Sequence, residues 1–209
     1  MMAEIEYFFS AHSAYAYIGS AKLTEISKQG NHTIVYRPMD LRAVVAVTGP
    51  GPTNALTPQR RAYFSGREIV RWAEARGIGI LTHHPKHHDN GIALSNGVLI
   101  AGLELGLDIG LLAHRMLEAH WRDNANLDDR DTLSILSSEV GLDPAPLLDA
   151  ALSPSIQAIY EANTKEAIER SVFGSPTYFV GGDMFYGQDH LELVERALVK
   201  PFAGTLPPT

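Results

Sequence analysis

Apolar positions recur along this chain with two different periods, and the change of period separates predicted strands from predicted helices. Residues 4–9 (EIEYFF) form an aromatic run with no breaker, which is typical of a buried strand. Residues 14–28 carry apolar side chains at roughly helical spacing, and Gly30 follows as a helix stop. Residues 33–36 (TIVY), closed by Pro38, predict a second strand. The chain therefore opens with a βαβ unit, whose crossover is expected to be right-handed.

The middle of the chain carries no convincing strand pattern and is expected to be helical. Residues 48–58 (TGPGPTNALTP) are dense in glycine and proline, and they predict a surface loop of a length that often serves function. Apolar spacing then predicts helices near residues 58–76, 91–106, 108–121, 129–140, 144–151 and 154–170.

Two short apolar runs and a final helix complete the pattern. Residues 177–180 (TYFV) and 183–186 (DMFY) flank Gly181 and Gly182, and a glycine pair between two strands indicates a tight hairpin. A last helix is predicted over residues 189–199. The order βαβ, helical block and ββα predicts an α/β fold in which a mixed sheet is interrupted by a helical insertion.

Composition narrows the class of protein. The 209 residues suit one domain, or one domain with a large insertion. The net charge of −7 argues against non-specific binding to nucleic acid or to an anionic membrane surface. No apolar stretch approaches the roughly 18 residues that a membrane span needs, and the N-terminus resembles a first strand more than a signal peptide. We therefore expect a cytoplasmic protein that does not engage membranes or nucleic acid.

The turn between the first strand and the first helix holds the most informative residue, Ser13. A helix N-terminus presents unpaired N–H groups and roughly half a positive charge, so it favours an anion or a thiolate. The chain contains no cysteine, so a thiolate held there must come from a cofactor. The same absence excludes disulfides, thiolate metal sites and intrinsic thiol–disulfide exchange. The alternative is that Ser13 only caps the helix.

Three segments carry a resemblance to a known family. They are the turn SAHSAYAYIG at residues 10–19, the run SVFGSPTYFVGGDMFYGQDHLELVERAL at residues 171–198, and the spacing of Arg61, Phe64, Glu68, Arg71 and Trp72. Together they resemble the family of 2-hydroxychromene-2-carboxylate isomerases and kappa-class glutathione transferases. The resemblance implies a DsbA-like thioredoxin fold. Residues 1–45 and 171–209 would form the thioredoxin-like domain, and residues 46–170 an inserted all-helical domain.

The resemblance also implies a glutathione site. Ser13 matches the family's catalytic serine, whose hydroxyl is expected to bond the sulfur of bound glutathione. Pro176 matches a cis-proline that faces the turn, and Ser175 is expected to pair through its backbone with the cysteinyl part of glutathione. Gln188 and Asp189 match a pair that binds the γ-glutamyl end. The alternative for Asp189 is a cap of the last helix.

Several positions depart from the family pattern. Arg61 stands where the family has a lysine near the carboxylates of the tripeptide. The Gly–Pro loop replaces a G-N-x-P loop, so its glutathione-contacting asparagine is displaced, and Asn54 is the nearest candidate to replace it. Ala14 replaces a proline, and His190 replaces an arginine. The glutathione cradle is therefore expected to be kept, while the rim that faces the second substrate differs.

The histidine-rich run THHPKHHDNG at residues 82–91 has three interpretations. It forms a solvated loop, it contacts the substrate, or it binds a metal, and Pro85 disfavours the helix that a metal site with i,i+4 spacing would need. We expect no metal. The candidates for contact with the second substrate are His12, Tyr15, His88 and Asn90.

The expected function is a glutathione-dependent isomerase of the 2-hydroxychromene-2-carboxylate type, acting in aromatic degradation as a homodimer. Glutathione would be a regenerated catalyst, and the substrate a small aromatic carboxylate. One alternative is a kappa-like glutathione transferase that acts on electrophiles or peroxides through the same thiolate. The other is a non-catalytic protein that binds glutathione or another small ligand.

Overall fold

The computed structural model describes residues 2–49 and 57–204. Within these ranges the strands form one mixed sheet in the order β2-β1-β3-β4. The strands are β1 (Glu4–Phe9), β2 (Thr33–Pro38), β3 (Thr177–Val180) and β4 (Asp183–Tyr186). The central strand β1 pairs in parallel with β2 and antiparallel with β3, and β3 pairs antiparallel with β4. This is the expected α/β arrangement, a thioredoxin-like sheet of βαβ and ββα halves.

Helices fill the chain between and after the strands. They are α1 (Ala14–Gly30), α2 (Leu41–Val47), α3 (Pro58–Ala62), α4 (Glu68–Arg76), α5 (Ala93–Glu104), α6 (Gly110–Trp121), α7 (Arg130–Glu139), α8 (Pro144–Ala150), α9 (Pro154–Glu169) and α10 (Leu191–Val199). A π-helical segment, Tyr63–Arg67, joins α3 to α4, and a 3₁₀ turn, Gln188–His190, leads into α10.

The alternation of side chains along β1 explains why both faces of the sheet are covered. Ile5, Tyr7 and Phe9 belong to the main core, which also contains buried residues of α1, α5, α6 and α10. Phe8 belongs to a smaller cluster on the other face with Val44 of α2. A strand that is buried on both faces needs apolar residues throughout, as the EIEYFF run has.

Two differences from the expected elements have local causes. Helix α2 is absent from the predicted elements; it begins where the Asp40 carboxylate accepts hydrogen bonds from the backbone N–H groups of Arg42 and Ala43. Its valine-rich sequence has a weak helical propensity, so the cap decides the structure. The helix predicted over residues 58–76 is interrupted by the π-helical segment. The expected division into domains places a boundary at residue 45, inside α2, and stays a prediction.

The predicted hairpin is confirmed. Gly181 and Gly182 join β3 to β4 with φ angles of +57° and +86°. Two positive φ angles in a row suit the right-handed twist of the strands, and glycine adopts them without steric cost. Across residues 2–49 and 57–204, no helix is long and apolar enough to cross a membrane.

Candidate functional site

Ser13 is the N-cap of α1, at the end of the sheet. Its Oγ accepts a hydrogen bond from the backbone N–H of Ala16 at 3.2 Å. The same hydroxyl donates its proton to the backbone carbonyl of Ser175 at 2.8 Å. Ser13 therefore caps the helix and also contacts the residue before Pro176, so the cap and the functional interpretation of this residue are compatible.

The Ser175–Pro176 peptide bond is cis, which confirms the expected conformation. Ser175 and Ser13 are buried and are tied together through the turn. The backbone N–H of Ser10 donates to Ser175 Oγ at 3.2 Å, and the N–H of Ser13 donates to the carbonyl of Ser10 at 3.0 Å. These bonds hold the start of α1 against the loop that carries Pro176.

The first turn of α1 presents free backbone donors. Among hydrogen bonds of the described residues, none uses the N–H of Ala14 or Tyr15 as donor, whereas the N–H of Ala16 is bonded to Ser13. Ala14 contributes to this because a proline there would have no N–H. The turn thus places two amide donors and a hydroxyl beside one another, at the positive end of a helix of 17 residues.

His12 lies directly beside Ser13, and the residue is only 4% exposed. The backbone carbonyl of His12 accepts a hydrogen bond from Trp121 Nε1 at 2.8 Å, which fixes the residue in place. Both ring nitrogens are buried and have no hydrogen-bond partner among the described residues. Burial lowers the pKa of His12 to about 2, with smaller contributions from His120, His88 and Arg42. The ring is therefore neutral at physiological pH.

The histidine-rich loop comes to the same place. The rings of His12 and His88 are 6.0 Å apart between centroids, and His88 Nδ1 lies 2.9 Å from Nε2 of His120. Arg42 donates from Nη2 to the carbonyls of His88 and Asn90, each at 2.8 Å, and so secures the loop to α2. No group of side chains within the described ranges is arranged to hold a metal ion.

Two of the loop residues, His88 and Asn90, have different surroundings. His88 is half-buried beside His12, which fits the expected substrate contact. Asn90 is used within the loop, because its Nδ2 donates to Asn126 Oδ1 at 3.0 Å. His120 is fully buried in α6 and was absent from the predicted residues. Its sequence signal is a histidine next to Trp121, which by itself does not indicate a site.

Tyr15 connects α1 to the π-helical segment that follows α3. Its hydroxyl donates to the carbonyl of Phe64 at 2.7 Å. Burial raises the pKa of Tyr15 to about 12, and the charges of Glu68 and Asp189 add to the rise. Arg61 is exposed in the last turn of α3. Asn54 lies outside the described residues.

Gln188 and Asp189 have opposite environments. Gln188 is buried; its Oε1 and its backbone carbonyl accept hydrogen bonds from Arg76, each at 3.2 Å, while its Nε2 is without a partner among the described residues. Asp189 is about half exposed, at 49% of its side chain. No side chain caps the 3₁₀ turn or α10, so the interpretation of Asp189 as a helix cap is wrong.

The structure thus brings together most of the expected site. Ser13, Ser175 and Pro176 form its centre, with His12 and His88 on the side of the helical block. The 3₁₀ turn that carries Asp189 packs against α1, next to Gly19.

Comparisons with known proteins show what the chain resembles over nearly its whole length. A 2-hydroxychromene-2-carboxylate isomerase of Pseudomonas sp. (strain C18) is 27% identical over 195 residues, which cover 93% of this chain and 89% of the relative. A solved structure of a 2-hydroxychromene-2-carboxylate isomerase superposes with a TM-score of 0.77 at 24% identity, covering 94% of this chain and 95% of that one.

A second solved structure contains glutathione. The cytosolic disulfide reductase DsbM from Pseudomonas aeruginosa, determined with GSH, superposes with a TM-score of 0.64 at 16% identity, covering 95% of this chain and 93% of that one. The family model described as a DSBA-like thioredoxin domain matches residues 4–199. This chain therefore belongs to the DSBA-like thioredoxin domain family.

Proposed function

We propose that this protein is a glutathione-dependent isomerase of the 2-hydroxychromene-2-carboxylate type. The observation that carries the proposal is the position of the Ser13 hydroxyl, which lies at the N-terminus of α1 and against the residue before a cis-proline. The isomerase relative, matched over nearly the whole chain, supports the same reaction class.

The residues present fit glutathione. The centre offers a hydroxyl and two free amides, which can bind the sulfur of a ligand. The chain has no cysteine whose thiol could occupy the same position. The backbone N–H of Ser175 has no acceptor among the described residues, which leaves it free to pair with a peptide-like ligand. The half-exposed Asp189 carboxylate suits an ammonium group, and the exposed Arg61 suits a carboxylate.

When bound, glutathione supplies a thiolate that adds reversibly to the conjugated substrate and permits rotation about a carbon–carbon bond. The contribution of the chain is to favour the ionised sulfur. Lowering a thiol pKa by about 2 units takes roughly 3 kcal/mol. One charge-assisted hydrogen bond supplies about 1.5–3 kcal/mol and a helix end about 0.3–1 kcal/mol. Ser13 and the first turn of α1 are therefore sufficient, without a neighbouring cation.

Ser13 has to change its acceptor for this role. In the free protein its proton is donated to the carbonyl of Ser175. A thiolate is a stronger acceptor than a neutral carbonyl, because hydrogen bonds to ionised groups are roughly twice as strong. A modest rotation of the Ser13 side chain therefore exchanges the carbonyl for the sulfur.

The experiment adds glutathione to the purified protein at pH 7 and follows thiolate absorbance in the ultraviolet, then adds 2-hydroxychromene-2-carboxylate to the same cuvette. The expected result is thiolate formation, followed by isomerisation with the amount of free glutathione unchanged. Consumption of glutathione on electrophiles without isomerisation would indicate a kappa-like transferase. Binding without turnover of either kind would indicate a binding protein and contradict the proposal.

A further inference from the structure

Two hydrogen-bonded imidazoles, His88 and His120, form a pair with a defined direction near Ser13, and the ring of His12 packs beside them. His120 Nδ1 lies 3.0 Å from the carbonyl oxygen of Ala125, and His120 Nε2 lies 2.9 Å from Nδ1 of His88. The rings of His88 and His120 are nearly stacked, with centroids 5.2 Å apart and planes at 24°. The ring of His12 lies 4.8 Å from that of His120. The hydrogen bonds therefore run from the carbonyl of Ala125 through His120 in α6 to His88 in the histidine-rich loop.

The carbonyl at the inner end decides which nitrogens carry protons. A carbonyl oxygen only accepts, so His120 Nδ1 must carry a hydrogen. Burial lowers the pKa of His120 to about 4, so the ring is neutral and its Nε2 is an acceptor. His88 Nδ1 must then be the donor in the bond between the two rings. Burial, with smaller contributions from the neighbouring His84, His120 and Arg42, lowers the pKa of His88 to about 3, so this ring is also neutral.

His88 Nε2 is consequently a lone pair held in a fixed orientation. His88 is half-buried, whereas the nitrogens of His12 are wholly enclosed. Trp121 packs edge-on against His88, with centroids 5.2 Å apart, and also anchors the carbonyl of His12. Arg42 donates a hydrogen bond to the backbone carbonyl of His88. Because these contacts fix the ring of His88, its Nε2 is suited to accept a proton from one defined position.

We propose that His88 accepts, through Nε2, the proton of the hydroxyl group on the second substrate, and that His120 is the positioning residue that keeps this nitrogen unprotonated. The inference rests on the proposed function, since it names the group that acts on the same substrate. The substrate carries a hydroxyl and a carboxylate on the carbon next to its ring oxygen. As the O–H bond breaks, a C=O bond forms and the bond from that carbon to the ring oxygen breaks.

The protons and electrons of this step balance within the site. The hydroxyl proton moves to His88 Nε2, and the bonding pair of the broken carbon–oxygen bond leaves with the ring oxygen as a phenolate. That phenolate then takes the proton from His88, which returns to its neutral form. A buried imidazolium is disfavoured, so the proton does not remain on His88. The hydroxyl is thus converted to a ketone and the ring oxygen to a phenol, with no further reactant.

The first test compares His88→Gln with His83→Gln in the full-length protein with glutathione. Glutamine can form a hydrogen bond but cannot take up the proton, and His83 is an exposed residue of the same loop. His88→Gln is expected to lower kcat for isomerisation by about 100-fold, within the range for general acid–base catalysis. KM and the affinity for glutathione are expected to stay within about threefold. His83→Gln is expected to match the parent protein.

The second test begins with the parent protein, so its first part needs no variant. Long-range proton–nitrogen NMR spectra distinguish a protonated from an unprotonated ring nitrogen, and they should show His88 as the Nδ1–H form in the parent protein at pH 7. His120→Phe removes the acceptor and should give a mixture of the two forms of His88. It should also lower kcat while leaving the pKa of the bound thiol unchanged.

The outcomes separate the two proposals. A parent protein that does not isomerise the substrate with glutathione would overturn the proposed function and this inference with it. An active parent, with equal kcat in both histidine variants, would overturn the role of His88 and leave the isomerase intact. An Nε2–H form of His88 in the parent protein would do the same, whatever the variants show.

Discussion

At the scale of single residues, the site depends on one hydroxyl with two hydrogen bonds. Ser13 accepts from Ala16 and donates to Ser175, so it is both a structural cap and the group nearest to the expected sulfur. These two roles can be measured separately. Loss of a cap lowers the stability of α1, whereas loss of a sulfur contact raises the pKa of the bound thiol.

Ser13→Ala should raise the pKa of the thiol of bound glutathione by about 1–2 units, since a hydrogen bond to a charged group contributes about 1.5–3 kcal/mol. The measurement is a titration of thiolate absorbance against pH at saturating glutathione. Ser20→Ala is the matched control, because Ser20 is a buried serine of the same helix whose hydroxyl bonds to Tyr17 and His114. Equal titrations of the two variants would contradict the role of Ser13.

Residue chemistry was predictable from the sequence where a motif determines the geometry. Ser13 lies where the strand end and the helix start predict it, whereas the cis bond before Pro176 was expected from the family resemblance, since the local sequence does not determine the isomer. The role of His120 was not predictable, since its contact with His88 joins residues 32 positions apart. The hydrogen bond from Arg76 to Gln188 joins residues 112 positions apart, and no sequence pattern predicted it either.

At the scale of elements, the position of the last helix depends on how closely it approaches α1. A Cβ atom added at Gly19 would lie 2.8 Å from Cβ of Gln188 and 3.1 Å from Cδ1 of Leu191. Gly19 thus permits the close contact that brings Gln188 and Asp189 to the start of α1. The sequence pattern predicts both helices but not this contact, because a single glycine inside a helix has several explanations.

Gly19→Ala should lower the free energy of unfolding by about 1–3 kcal/mol, the usual cost of overpacking a core. Urea denaturation measures this as a lower midpoint. Gly66→Ala is the control: no atom lies within 4 Å of its added Cβ among the described residues. Replacing a helical glycine with alanine there should raise stability by about 0.5–1 kcal/mol. Equal midpoints for both variants would show that α1 and the last helix have room to adjust.

At the scale of the whole molecule, buried neutral histidines make stability depend on pH. The pKa values of His12, His88 and His120 are lowered to about 2, 3 and 4. These histidines take up protons near pH 6.5 in an unfolded chain. Below that pH, protonation increasingly stabilises the unfolded state and lowers the free energy of unfolding. The stabilisation is complete above about pH 6.5 and is lost as the pH falls towards the folded values.

Lowering the pH from 7 to 5 should therefore reduce the free energy of unfolding by about 2 kcal/mol for the fully buried His12 alone, from the difference between pH 5 and its unfolded pKa. His12→Phe, which keeps a ring but removes one titration, should weaken the dependence of urea midpoints on pH, with His88 and His120 supplying the rest. His83→Phe, at an exposed position, should keep the slope of the parent protein. A parent protein equally stable at both pH values would contradict the burial of these rings as neutral groups.

The bond from Ser13 to the carbonyl of Ser175 means that this hydroxyl already has an acceptor before a ligand arrives. Binding then replaces one acceptor with another, and the gain is only the difference between them. A neutral thiol, a weak acceptor, competes poorly with the carbonyl, while a thiolate competes well. The turn therefore distinguishes a thiolate from a neutral thiol. The two ends of the ligand would supply most of the affinity, and the Ser13 turn would select the ionised form of its sulfur.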